Sequence, residues 1–456
     1  MSHHGRFGCR TLWVLTAVAG VVVTGNVAAD GASTVGGGPD GTVTLVSVRS
    51  DEQPAAGQSR LAGARPVVSS AGRFVVFQSN DPKMTADVDN DDVEDVFVRD
   101  RVLETTTLVS GTHGQAVGGS GGTISGDGRY VAFLSASSAL TKRDSNGPRF
   151  DVFVRDMKTG DVTLVSKASD GTQRNVDTQE TVISGNGRRV AFLTPARLSQ
   201  ADDDKAPADE PLRRFDVYVH NLASGNTRLA SVNRHGSNFT APVGLGGISH
   251  DGRSVGFTWG YIGKDKRDVP GGFYVRSLAM HGSTLIWRQD INALTREIGA
   301  GLALSGDGRF AAFTSKSDRI DPEPGYRKAD VVRVNIRTGH RSVVSVGAQD
   351  ADANGDSDSP TLSARGRFVA FSSEADNLTT GDDNQVADAY RFDCRTERMA
   401  LVSSRPDGRA GNSSSTAGGG VSISADGKHV AFDSFATDLA PGDGPDGDVF
   451  LWKAIN

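Results

Sequence analysis

The stretch Ser125-Gly126-Asp127-Gly128-Arg129-Tyr130-Val131-Ala132-Phe133 decides the fold. It reads as the end of a strand, a tight turn and the start of a second strand. Gly adopts positive φ at no steric cost and Asp tolerates it, so Asp127-Gly128 between apolar runs predicts a two-residue type I′ turn. Beyond the turn, Tyr130 and Ala132 alternate with Val131 and Phe133, a β-branched and aromatic pattern suited to a pleated, buried surface.

Relatives of this stretch recur down the chain. The turn glycines are Gly72, Gly128, Gly187, Gly252, Gly308, Gly366 and Gly427, at intervals of 56, 59, 65, 56, 58 and 61 residues. A regular period of this size with strand-like content signals a solenoid, an array or a propeller. In the second repeat the strand candidates are 123–125, 130–135, 151–156 and 161–166, and four strands per repeat make a propeller blade. The fourth strand has a signature of its own, as in Thr163-Leu164-Val165-Ser166 and Ala400-Leu401-Val402-Ser403. One copy, Thr44-Leu45-Val46-Ser47, precedes the first repeat, whereas the last repeat ends on its third strand, Asp448-Val449-Phe450-Leu451-Trp452. Pairing the two would close a ring and leave no exposed strand edge at the seam. The expectation is an all-β, seven-bladed β-propeller over residues 42–456, with four antiparallel strands per blade and strand 42–47 completing the last blade.

Composition agrees with a turn-rich all-β chain: 56 of 456 residues are Gly, Pro is modest at 16, and long helical patterns are missing. The formal charge of -6 brings no basic stripe, so a nucleic-acid partner is not expected. Residues 1–29 read as an export signal. Arg6 and Arg10 lead into an apolar run over 12–23, and Val27-Ala28-Ala29 offers small residues for cleavage before Asp30. An uncleaved anchor is the alternative, because the run can be extended to Ala29. Residues 30–41 are a short linker, and no later segment reads as a membrane span. The protein is expected to be secreted or held in the periplasm or cell envelope. Cys9 would leave with the signal, so Cys394 stands alone and no intrachain disulfide forms. Stability then rests on the packed cores.

The run of Ser-x-Asp-Gly-Arg-x-Val-Ala-Phe, an Asp-rich loop, Asp-Val-Phe-Val-Arg-Asp and Thr-x-Leu-Val-Ser resembles the TolB-like, WD-repeat-like β-propeller repeat of bacterial secreted proteins. The resemblance covers about residues 42–456 and is specific for the repeat, not for an activity. It implies a propeller that serves as scaffold, gate or docking surface, as in the periplasmic Tol system or ahead of prolyl-oligopeptidase catalytic domains. No hydrolase domain is read after the seventh repeat, and the family offers no catalytic residues to carry over.

The most suggestive chemistry lies in the loop between the second and third strands. Repeat 1 places Asp89, Asp91 and Asp95 there, and repeat 6 places Asp382, Asn384 and Asp388. Repeat 2 has Asp144, Asn146 and Asp151, and repeat 7 has Asp443, Asp446 and Asp448. Three oxygen side chains in one loop suit a hard cation such as Ca²⁺, which also relieves their mutual repulsion. The competing reading is structural, since Asp and Asn are favoured turn residues and the Asp opening each third strand can cap the loop. Catalytic patterns are poor. Gly118-Gly119-Ser120-Gly121-Gly122 matches a nucleophile elbow in letters, but a strand follows it and not a helix. His220, His250, His281, His340 and His429 read as surface or loop residues, and Cys394 as a small apolar side chain. The inner strands end at Ser70, Ser125, Ser184, Ser249, Ser305, Ser363 and Ser424, giving a tunnel without an obvious catalytic group. The favoured function is therefore an exported, non-catalytic scaffold for a protein or cell-envelope partner, with Ca²⁺ in the acidic loops as a candidate stabiliser. The alternative is a hydrolase or lyase acting on a glycan or peptide at one end of the tunnel.

Overall fold

The computed structural model describes residues 40–61, 66–89, 93–202, 215–237, 243–259, 272–280, 282–288, 301–315, 328–347, 351–416 and 420–455. The expected export signal therefore lies outside the described residues, as do Asp91 and His281. Seven four-stranded sheets follow one another around a ring. Blade 2 is typical, with strands Ser120–Ile124, Tyr130–Ser135, Asp151–Asp156 and Val162–Leu164 paired antiparallel in sequence order. Its inner strand starts earlier in the chain than its apolar residues suggested.

The seam is closed as the split repeat requires. Strand Gly41–Leu45 pairs antiparallel with Asp448–Ala454, from Gly41 opposite Ala454 to Leu45 opposite Phe450. Blade 7 thus takes three strands from one end of the chain and one from the other. Among the described residues no helix is long and apolar enough to cross a membrane.

The repeat motif explains itself locally, with one correction. The hairpin is not a two-residue type I′ turn. Ser125 N donates to Tyr130 O (2.8 Å), Gly128 N donates to Ser125 O (2.9 Å), and of the central pair Gly128 alone has positive φ, at 78°. The loop holds residues 126–129 because Asp127 turns its carboxylate onto its own backbone. Asp127 Oδ1 accepts from Arg129 N (3.0 Å) and from the Ser125 hydroxyl (2.6 Å), whose oxygen accepts from Tyr130 N (2.9 Å). Such Asx-type bonding competes with the tighter turn. Repeat 1 corrects a position as well: Phe74 N donates to Ser69 Oγ (2.9 Å), so Ser69 and not Ser70 is the equivalent of Ser125. The motif Arg and the Asp ending the third strand pair across the hairpin, as in Arg129–Asp156 (2.7 Å) and Arg367–Asp393 (2.6 Å).

Each blade is cored by the Phe of its second strand. Phe77, Phe133, Phe192, Phe257, Phe313, Phe371 and Phe432 are all fully buried. Six of them face an aromatic residue on the third strand, for example Phe133–Phe153 at 5.9 Å and Phe432–Phe450 at 5.5 Å between ring centroids. In blade 5, Phe313 instead meets Phe273 of blade 4 at 4.5 Å.

Blades also lock to one another through the turns. A methyl group on Gly128 would collide with the Phe74 ring of the preceding blade, and one on Gly72 with the His429 ring, across the seam. We expect Gly128→Ala to cost about 2–4 kcal/mol, combining a left-handed backbone and an overpacked contact. A denaturant midpoint equal to that of the wild type would show that the turn is not a fixed part of the blade contact.

Candidate functional site

The inner strands surround a central channel of about 640 Å³. Strand register sets which residues share a level in it. Arg60 lies opposite Gln78, Ser120 opposite Leu134 and Glu180 opposite Leu193; each partner follows the buried Phe of its blade. Arg60, Ser120 and Glu180 therefore stand at one level, on three successive blades, near the starts of the inner strands. This end of the channel is the polar mouth. Deeper in, the wall turns apolar, with Leu61, Ile124, Val182, Leu245, Leu302 and Leu304.

The mouth is partly preorganised. Arg60 Nη2 and Gln78 Nε2 both donate to Glu94 Oε2 (2.5 and 2.7 Å), and Gly121 N donates to Gln78 Oε1 (3.1 Å). Glu180 is the contrasting group. Its side chain is exposed to the channel, yet the channel walls enclose it. That enclosure raises its carboxyl pKa, and the Leu245 backbone amide offsets part of the effect. A carboxyl tuned upward holds and releases a proton more readily at working pH than an ordinary one.

The opposite end is narrow. There the residues after each motif Ser meet, and backbone bonds link neighbouring turns: Gly126 N to Gly185 O (2.7 Å), His250 N to Gly306 O (2.8 Å), Ala364 N to Ala425 O (2.9 Å). Six of these seven positions are Ser70, Gly126, Gly185, Gly306, Ala364 and Ala425, and the seventh is His250. Its imidazole lies against Gly185 and Gly126, where a Cβ on Gly185 would overlap the ring. His250 is thus an exposed turn residue, as expected, and its ring stands at this end of the channel.

The acidic loops are held in different ways. The Asp opening a third strand accepts a hydrogen bond from the Ser ending the fourth. Examples are Ser110–Asp95 (2.6 Å), Ser166–Asp151 (2.5 Å), Ser403–Asp388 (2.5 Å) and Ser47–Asp448 (2.6 Å). Asp144, Asn146 and Asp151 come together in blade 2, where burial pushes the Asp151 carboxyl up to about 6. Asp382, Asn384 and Asp388 come together in blade 6. In blade 7, Asp443 and Asp448 bond to loop amides while Asp446 is exposed. Asp89 is half-buried in blade 1. Among the described residues no group of three or more His, Cys, Asp or Glu is arranged to hold a metal ion. Ser120 opens the inner strand of blade 2, with no helix behind it. Cys394 packs against the core of blade 6.

Two other histidines depart from expectation. His429 is buried, and His220 is 2% exposed on the third strand of blade 3, bonded through Nδ1 to Thr227 Oγ1 (2.9 Å). Burial, with a smaller contribution from Lys167, pushes His220 down to about 4. An unfolded histidine titrates near 6.5, so between about pH 6.5 and 4 the unfolded chain binds a proton that the folded chain refuses. Its contribution to stability is whole above pH 6.5 and falls by about 3 kcal/mol by pH 4. Urea titrations should show the stability gap between wild type and His220→Asn changing against the wild type as pH falls through this window; a pH-independent gap would count against the buried neutral imidazole.

No protein-family model and no curated protein sequence matches the chain. Solved structures match it. An oligogalacturonate lyase from Vibrio parahaemolyticus is 11% identical, covering 91% of this chain and 97% of that one, with a TM-score of 0.53. An acylaminoacyl peptidase from Pyrococcus horikoshii is 12% identical, covering 87% of this chain and 51% of that one, with a TM-score of 0.51. TolB from Acinetobacter baumannii is 13% identical, covering 85% of this chain and 81% of that one, with a TM-score of 0.36. At such identities the likeness establishes the fold, a propeller that has TolB among its structural neighbours. The expectation of a non-catalytic scaffold is corrected here: the neighbours that share this propeller include a lyase and a peptidase, which are enzymes. The chain spans about half the length of the peptidase it matches.

Proposed function

We propose that the chain cleaves an anionic oligosaccharide at the polar mouth of its channel, as a lyase or hydrolase, with Glu180 as the proton-transfer group. The observation that carries this reading is an enclosed carboxyl with a raised pKa, at the level of Arg60, in the wall of a channel. Arg60, paired through Nη2 with Glu94, offers its remaining guanidinium N–H groups to a carboxylate on the substrate. Gln78, Ser120 and Gln179 add hydrogen-bonding groups suited to sugar hydroxyls. The apolar wall below and the narrowing at His250 favour a chain end entering from the mouth.

Glu180 serves either reaction. In elimination it takes the proton from the carbon beside the substrate carboxylate; the freed electron pair forms the double bond and the glycosidic oxygen departs. In hydrolysis it gives a proton to the departing oxygen, and water completes the cleavage. The comparison with the lyase supports a site in the propeller itself, because this chain covers 97% of that chain, whereas half of the peptidase has no counterpart here. A leader at residues 1–29 would deliver this activity outside the cytoplasm.

The test is direct. Purified chain is incubated with acidic oligosaccharides, neutral oligosaccharides and peptides. Chain cleavage is followed through new reducing ends and through the ultraviolet absorbance of unsaturated sugars. Turnover of an acidic oligosaccharide is the expected result. Cleavage confined to peptides, or none in any arm, would remove this reading.

A further inference from the structure

The acidic loops differ in how the Asp that opens the third strand is satisfied: blades 2 and 7 supply donors to both of its oxygens and blade 6 to one, although Asp144 Oδ2 and Asn146 Oδ1 of blade 2 are also buried without a partner. In blade 7, Asp448 accepts the Ser47 hydroxyl (2.6 Å) and the Gly444 amide (2.8 Å). Asp443 there accepts the Leu439 and Ala440 amides (2.8 and 3.2 Å). In blade 2, the side-chain amide of Gln173 stands between two carboxylates and donates to Asp144 (3.2 Å) and Asp151 (3.4 Å).

Blade 6 has neither arrangement. Counting from the Asp-Gly turn that both blades carry after the fourth strand, Asp170-Gly171 and Asp407-Gly408, the place of Gln173 falls to Ala410. Asp388 is fully buried. One of its oxygens accepts the Ser403 hydroxyl (2.5 Å), while Oδ2 is shut off from solvent without a hydrogen-bond donor. Asp382 and Asn384 belong to the same loop. Asp382 accepts the Tyr390 hydroxyl and the Asn384 backbone amide (3.3 Å). Asn384 Oδ1 accepts Val386 N (3.1 Å), and its side-chain nitrogen donates to Gly411 O (2.8 Å). The Asn384 side chain, Asp382 and Asp383 are the polar neighbours of Asp388 in this loop, but none donates to Oδ2 at hydrogen-bond geometry.

A dry carboxylate oxygen with no donor, beside other carboxylates, calls for positive charge. We propose that Asp382, Asn384 and Asp388 bind a hard divalent cation, Ca²⁺ by their chemistry, with Asp388 Oδ2 as the central ligand. The donors are all oxygen, as Ca²⁺ prefers, with no nitrogen or sulfur to favour a transition metal. Backbone carbonyls and water would complete a shell of roughly six to eight oxygens. The Gln173 amide of blade 2 is then a built-in donor where blade 6 uses an ion.

The experiment uses the full chain stripped with chelator, then titrated with CaCl₂ in a calorimeter and melted with and without Ca²⁺. The wild type should bind Ca²⁺ and melt higher as its concentration rises. Asp388→Asn should lose the response, and the exposed blade 7 variant Asp446→Asn should keep it. Asn384→Asp, which adds a charge to the ligand set, should tighten binding by about tenfold or more. It decides the matter if Asp388→Asn fails to fold. No binding by the wild type at millimolar Ca²⁺ would overturn the proposal. So would a response that survives Asp388→Asn, or one that Asn384→Asp leaves unchanged.

Discussion

Glu180→Gln is expected to lower turnover of an acidic oligosaccharide by about 10²–10⁴-fold, the usual contribution of a positioned general acid or base. The amide keeps the shape of the side chain but can neither take nor give a proton at physiological pH. Because Glu180 is exposed to the channel and not packed in a core, stability should stay within about 0.5 kcal/mol of the wild type. Those two readings together separate a chemical role from a structural one. The pH profile separates the reactions. Elimination needs the carboxylate, so turnover should rise with pH through the raised pKa of Glu180; protonation of a leaving oxygen needs the acid, so turnover should fall. In the Gln variant that limb should vanish. Equal activity in the variant and the wild type would remove Glu180 from the chemistry.

The second large effect concerns the seam. Trp452 is fully buried in the last strand, with the Arg391 guanidinium 4.7 Å above its ring and the Gly41 backbone directly against it. Trp452→Ala should cost about 3–5 kcal/mol, the range for a large aromatic removed from a packed core. A chain lacking residues 1–47 should suffer more. It loses every rung from Gly41–Ala454 to Leu45–Phe450, the fully buried Val46 and the Ser47–Asp448 bond of 2.6 Å, and it bares the edge of Asp448–Ala454. Chemical denaturation should show a lower midpoint, and light scattering should show association through the bared edge. If the shortened chain unfolds at the wild-type midpoint as a monomer, blade 7 does not depend on its borrowed strand.

Much of this molecule was legible in 456 letters because the information is local. The Asp-Gly hairpins, the Phe of each second strand and the Leu-Val-Ser of each fourth strand lie within one repeat, and their period of about sixty residues announces blades. Even the closure was readable, since Thr44-Leu45-Val46-Ser47 is a fourth strand with no repeat of its own. The turn departs from the type I′ expectation because two side chains, Ser125 and Asp127, bond to the loop and override the backbone preference of Asp-Gly.

The candidate site was not legible for a different reason. The Ser at the end of each inner strand is the conspicuous polar residue of the repeat, yet it is buried in the turn, while the channel chemistry sits at the strand starts. One clue was available: of the residues following the motif Ser, six are small and one is His250. Sequence alone determined the strands, their pairing within a blade, the number of blades and the way the ring is closed. That Arg60 and Glu180, 120 residues apart, share a level of one channel was decided only by tertiary structure. So was the burial of Asp388 Oδ2 without a donor while Gln173 serves its counterpart. Hydrogen-bond register fixes a residue within its own blade, but which groups face each other across a channel depends on how all seven blades are set around the ring.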